Sequence, residues 1–146
     1  MTFGQSIKHV FSNYANFQGR ASRSEFWWWY LFVLLVALIP SIIANIGVQQ
    51  SLSTVSVNDA TGALTGGSLN GLAIFGIVLS VLWSLAVLIP TLAVGCRRFH
   101  DTDRSGWWWL LWYLCCFVGA IIVIVFWASP GTPGPNRFGD GPARAE

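Results

Sequence analysis

Gly95-Cys96-Arg97-Arg98-Phe99-His100-Asp101-Thr102-Asp103-Arg104-Ser105-Gly106-Trp107-Trp108-Trp109 holds three of the eight basic residues, two of the six acidic ones and one of the two histidines, between two long apolar runs. Charge is expensive in hydrocarbon, and tryptophan collects where hydrocarbon meets headgroups. Residues 95–106 therefore read as an Arg-rich loop at a membrane surface. Upstream, Arg23-Ser24-Glu25-Phe26-Trp27-Trp28-Trp29 repeats the pattern, so the chain touches one membrane face at least twice.

Working outward, residues 71–94 precede the loop, 107–128 follow it, and a third run occupies 26–46. Each is long enough at about 1.5 Å per residue to cross ~30 Å of hydrocarbon. None contains Asp, Glu, Lys, Arg or His. Such groups mark ion and proton pathways inside membranes, so a coupled transporter is disfavoured. Ala37, Ser41 and Asn45 in the first run and Gly76, Ser80 and Ser84 in the second recur every four residues, a pattern for close helix packing. Pro40 and Pro90 are expected to kink these spans. Aromatics at both ends of 107–128 suit a full crossing, but Gly119-Ala120 leaves a shallow re-entrant hairpin open.

The linker 47–70 is rich in Ser, Thr and Gly, with Asp59 as its single acid, and reads as a flexible solvated external loop. Residues 2–17 place Phe3, Ile7, Val10, Phe11 and Tyr14 on one helical face. Two placements suit that helix: in the headgroup plane, or against the ends of the chain's own spans. His9, on the opposite face, is expected in solvent. Ser22 and Glu25 match a capping box ahead of the first span, with Arg20 or Arg23 as alternative partners for Glu25. The Pro/Gly-rich tail, 129–146, cannot extend a helix.

The fold expectation is thus an all-α membrane protein of one domain, an N-terminal amphipathic interfacial helix followed by a three-helix transmembrane bundle. With 54% hydrophobic and 10% charged residues, the chain is far from the roughly 25% charged composition of soluble domains. A net charge of +2, clustered beside apolar runs, leaves no nucleic-acid footprint. Cys96, Cys115 and Cys116 have neither disulfide nor metal spacing and read as packing residues. Lys8, Arg20 and Arg23 before the first span, and Arg97, Arg98 and Arg104 between the second and third, place the N-terminus and the Arg-rich loop in the cytoplasm. Three crossings would leave the tail, with Arg137 and Arg144, outside; a hairpin would return it.

Three blocks together resemble a known family: Phe17-Gln18-Gly19-Arg20-Ala21-Ser22-Arg23-Ser24-Glu25-Phe26-Trp27, then Arg97 through Trp108, then Gly131-Thr132-Pro133-Gly134 with Asn136-Arg137-Phe138-Gly139. They are similar, in order and over nearly the whole chain, to the bacterial YhaH-like inner-membrane family, a domain of unknown function numbered 805. The resemblance implies a multi-pass bacterial inner-membrane protein and carries no activity, substrate or cofactor. Pro135 stands where the family usually has an acid, and Asp140-Gly141-Pro142 spaces the closing residues differently.

His100, Asp101 and Asp103 invite a catalytic or metal reading. One loop offers them beside three arginines that repel a cation, and a metal needs at least three convergent donors. No cofactor, metal or catalytic residue is expected. Arg20, Arg23, Glu25, Arg97, Arg98, His100, Asp101, Asp103, Arg104, Asn136 and Arg137 are the candidates for a structural clamp or a lipid- or partner-binding site. In the clamp, Asp101 would pair with Arg97, Arg98 or an arginine of 20–23, and Asp103 or Ser105 would cap the third span. The expected function is a non-enzymatic membrane scaffold holding anionic lipid headgroups or a membrane partner. The alternatives are an oligomeric transporter or channel subunit, and a membrane-surface enzyme using His100 with Asp101 or Asp103.

Overall fold

The structure, a computed structural model, describes residues 1–58, 61–114 and 116–141, with Tyr113, Cys116 and Phe117 as backbone only. The roles expected of Asp59, Cys115, Pro142, Arg144 and the Cys116 side chain lie outside the described residues. The chain is mostly helical: α1 (Phe3–Ser12), α2 (Arg23–Leu52), α3 (Gly71–Asp101), a 3-10 turn (Gly106–Trp109), α4 (Leu110–Leu114) and α5 (Cys116–Ala128). Two short strands, β1 (Ser56–Val57) and β2 (Leu64–Thr65), pair antiparallel between α2 and α3. The linker read as flexible loop from residue 47 is thus helical to Leu52 and then carries a small hairpin.

α2 and α3 are long and apolar enough to cross a membrane. At 30 and 31 residues they measure about 45 Å each, since a long apolar run satisfies its backbone polar groups only by continuing as helix. α3 does not stop at Val94. It carries Arg97, Arg98, His100 and Asp101 on its last turns, so half of the expected surface loop is helix. Asp103, at φ 55°, ends it in the left-handed conformation that Asp tolerates.

The chain divides into two compact units, Met1–Phe32 with Val87–Glu146, and Val33–Ala86. In the second, α2 and α3 approach so closely that a Cβ on Gly47 would overlap the Ala73 backbone, and one on Gly76 the Ala44 backbone. Trp83 Nε1 donates to the Val33 carbonyl at 3.4 Å. The contact stripe on α2 is therefore Ala44 and Gly47, one position round from the expected Ala37, Ser41 and Asn45. Gly76 lies in the contact and Ser80 is half-buried, while Asn45 and Ser84 are exposed. Ser41, Ser80 and Ser84 donate to carbonyls of their own helix, as does Asn45, so these polar groups are satisfied without a cross-helix bond.

In the first unit the third apolar run is broken. α5 spans about 20 Å at 13 residues, too little for a ~30 Å hydrocarbon core. Its far end returns to its start: Trp108 meets Phe126 edge-on at 5.2 Å, and Trp109 meets Trp127 at 4.9 Å between ring centroids. The expected full third crossing is replaced by a helical hairpin. A Trp127 ring shared with Phe26, Phe99 and Trp112 forms its aromatic core. α1 packs on the start of α2, with Phe3 on Trp28 at 5.7 Å and Phe11 on Trp29 at 5.1 Å.

Candidate functional site

Because the hairpin returns, the tail reaches the end of α3 and the segment before α2. Asp101 is where the three sequence blocks meet. Its Oδ1 accepts from Arg20 Nε at 2.9 Å, its Oδ2 pairs with Arg98 Nη1, and its backbone carbonyl accepts from Thr132 N at 2.8 Å. Arg20 also donates to the Thr132 and Gly134 carbonyls, both at 2.6 Å. Arg98 donates to the Trp127 carbonyl at 2.9 Å and to the Ser129 carbonyl. The Pro/Gly tail forms no helix, so its carbonyls stay free to accept from guanidinium groups, which bury well when fully bonded. A Cβ at Gly131 would overlap the Asp101 carboxylate, so only glycine admits the tail this close.

A second buried pair lies alongside. Arg97 Nη2 comes within 3.0 Å of Glu25 Oε1, and His9 Nδ1 donates to that same oxygen at 3.0 Å. Neither Nη2 nor Nε of Arg97 has a partner in hydrogen-bonding geometry, so the Arg97–Glu25 contact is Coulombic. Glu25 N does receive a cap from Ser22 Oγ at 3.1 Å. Its carboxylate, however, turns to Arg97 and His9 instead of Arg20 or Arg23, and His9, expected in solvent, is half-buried against it.

The remaining candidates are tied down nearer the surface. His100 Nδ1 donates to the Gly19 carbonyl at 3.2 Å, and its ring stacks on Phe138 at 3.9 Å. Burial pushes His100 below its ordinary pKa and nearby Arg137 adds repulsion, while the bond to Gly19 opposes them. Asn136 Nδ2 donates to the His100 carbonyl and to Thr132 Oγ1, both at 2.9 Å. Arg137 pairs with Asp103 at 3.1 Å. Arg104 covers the Phe126 ring at 3.9 Å, and Ser105 Oγ, not Asp103, caps the 3-10 turn at Trp107 N.

Arg97 and Arg98, candidates for either the clamp or a lipid or partner contact, are buried at 2% and 0% exposure and occupied internally. Arg23, the first residue of α2, stays exposed. The backbone acceptors at Gly19, Ser129, Thr132 and Gly134 were not foreseen. Their one sequence signal is the run of prolines and glycines that frees carbonyls from helix bonding. Among the described residues no group of three His, Cys, Asp or Glu side chains is placed to hold a metal ion.

Known proteins share this architecture's sequence. Residues 14–140, all three blocks of the knot, match the family model described as a protein of unknown function, DUF805. The chain belongs to the DUF805 family. It is 36% identical over 134 residues to the Inner membrane protein YhaI of Escherichia coli K12, covering 91% of each chain. To the Inner membrane protein YhaH of the same strain it is 37% identical over 134 residues, 91% of this chain and 92% of YhaH. No solved structure matches. With its two long apolar helices, this DUF805 chain is a transmembrane protein of the inner-membrane kind.

Proposed function

We propose that the chain is a non-enzymatic, multi-pass inner-membrane protein whose polar face lies in the cytoplasm and binds the anionic lipid surface there. The observation that carries this reading is a division of labour among the basic residues. Arg20, Arg97 and Arg98 are buried in the knot, while Lys8, Arg23 and Arg137 remain exposed. They accompany exposed Trp27, Trp28, Trp107 and Trp108, residues suited to headgroup depth. Each such cation is worth about 1 kcal/mol at an anionic surface. The same division argues against enzymatic chemistry, because the His100 Nδ1 and the carboxylates of Glu25, Asp101 and Asp103 are engaged in internal contacts. α1, packed on α2 with Phe3 and Phe11 partly exposed, would lie along the interface.

The test is native mass spectrometry of protein extracted from nanodiscs of mixed phosphatidylcholine and phosphatidylglycerol. The anionic lipid should be enriched over its bulk fraction, and replacing Lys8, Arg23 and Arg137 together by Gln should remove the enrichment. Co-extraction in bulk proportion overturns the reading.

A further inference from the structure

Beside the knot, within the same unit, lies a cleft of about 520 Å³ lined in part by Arg20, Ser22, Arg23, Asp101, Thr132 and Gly134. That volume is in the range of small-ligand sites, ~300–1,000 Å³. Its charge does not balance. Arg20, Arg23 and Arg98 gather around the single carboxylate of Asp101, whose two oxygens are taken by Arg20 and Arg98. The other described carboxylates are occupied or outside: Glu25 faces Arg97 and His9, Asp103 pairs with Arg137, and exposed Asp140 does not line the cleft. Among the described residues the Arg23 side chain has neither an ion pair nor a hydrogen bond.

Surplus positive charge next to buried guanidinium groups is costly unless an anion neutralises it. The surplus is felt inside the knot. Burial, the largest cause, lowers the Arg98 pKa, and repulsion from Arg23 and Arg20 lowers it further against the pull of Asp101. A cation is repelled by the same field, and an apolar ligand would strand Arg23.

We propose that this cleft binds a phosphate group, as a phosphomonoester or phosphodiester, with Arg23 as its direct partner and the Arg20–Arg98 pair supplying the field behind it. A guanidinium presents a planar fork that matches two phosphate oxygens. Arg23 stands four residues before exposed Trp27, which places the cleft at headgroup depth and makes the phosphodiester of an anionic lipid the expected source. In that choice of source the site rests on the lipid-surface reading above; the anion chemistry stands without it.

The full chain in dodecyl maltoside, which carries no phosphate, is titrated with dihexanoylphosphatidylglycerol and separately with inorganic phosphate, with binding read by calorimetry. Arg23→Ala should weaken binding roughly tenfold or more, as loss of charged hydrogen bonds predicts. Arg23→Lys should weaken it less. Pro133→Glu, at an exposed position of the cleft wall outside the knot, should abolish it without unfolding the protein. Lys8→Ala and Arg137→Ala should leave it unchanged. Binding of the lipid probe alone assigns a headgroup site, and comparable binding of inorganic phosphate assigns a soluble phosphate. Absence of binding by both probes, or binding indifferent to both Arg23→Ala and Pro133→Glu, overturns the site. If neither probe binds while anionic lipid is still enriched in nanodiscs, the surface reading survives and the cleft does not. If inorganic phosphate binds through Arg23 but no lipid is enriched, the reverse holds.

Discussion

Arg20 Nη2 lies 2.8 Å from Asp101 Oδ1, with the two side chains 1% and 5% exposed and the residues 81 positions apart in the chain. The long helices α2 and α3 and the polar linker between them separate the partners in sequence, and the Arg20 bond to the Gly134 carbonyl, across 114 positions, closes a longer loop still. Its Coulombic attraction is set against the cost of desolvating both ions, and the backbone carbonyls of the tail satisfy the guanidinium hydrogens that the carboxylate does not reach.

Asp101→Ala should therefore be among the most damaging single substitutions, since it leaves Arg20 and Arg98 buried without their counter-charge. The expected loss is about 3–5 kcal/mol. Asp103→Ala, which breaks a pair with 60% and 48% exposed partners, should cost no more than ~1 kcal/mol. Equilibrium unfolding in mixed detergent micelles compares them, and equal losses would contradict the knot.

Gly131→Ala should reproduce much of the Asp101 defect without removing any charge. The new Cβ would occupy the space of the Asp101 carboxylate and drive the tail away from α3. Limited proteolysis of the tail is the readout, with Gly134→Ala, where no atom lies within 4 Å of the new Cβ, as the comparison for space. Gly134 has φ +75°, so its own backbone strain must be matched by stability measurements.

Gly76→Leu should separate α2 from α3 where Gly76 meets Ala44, at a cost of roughly 1–3 kcal/mol for overpacking. Ser84→Leu, at an exposed position of the same helix, should be nearly neutral. Thermal melts in detergent distinguish them.

Stability should fall as pH drops below about 6.5, the ordinary histidine value, through the contribution of His100. Its folded-state pKa lies below the unfolded one, so the unfolded chain binds the proton more readily. The contribution is fully present above the unfolded pKa and is lost as pH falls toward the folded pKa. His100→Gln should flatten the difference in melting temperature between pH 7.5 and pH 5.5. An unchanged difference would assign the effect elsewhere.

Asp103 and Asp140 should lie on the same side of the membrane, with Ser53 on the other. Single cysteines at these positions, probed with an impermeant thiol reagent in right-side-out vesicles, give the answer. Labelling of Asp103→Cys and Asp140→Cys from opposite sides would restore a full third crossing.

Composition and periodicity were enough to determine a helical membrane chain with two long apolar helices. Apolar run length and charge exclusion are local properties, readable wherever a bilayer is the solvent. The polar residues were legible as candidates, but their pairing was not. Whether Glu25 meets Arg23 or Arg97, and whether Asp101 meets Arg97 or Arg98, depends on rotations of helix ends that sequence spacing leaves free. The small-residue stripe shows the same limit: Ala44 and Gly47, not Ser41 and Asn45, approach α3, because the close contact follows backbone proximity and the hydroxyls bond their own helix. The third apolar run was ambiguous by itself, since crossing and hairpin carry the same hydrophobicity. Only the tertiary structure decided it, through the packing of Trp108 on Phe126 and Trp109 on Trp127, and with it the return of the tail. That return turns an Arg-rich stretch at a membrane surface into a buried knot, because tail carbonyls and Asp101 satisfy charges that would otherwise have remained in water.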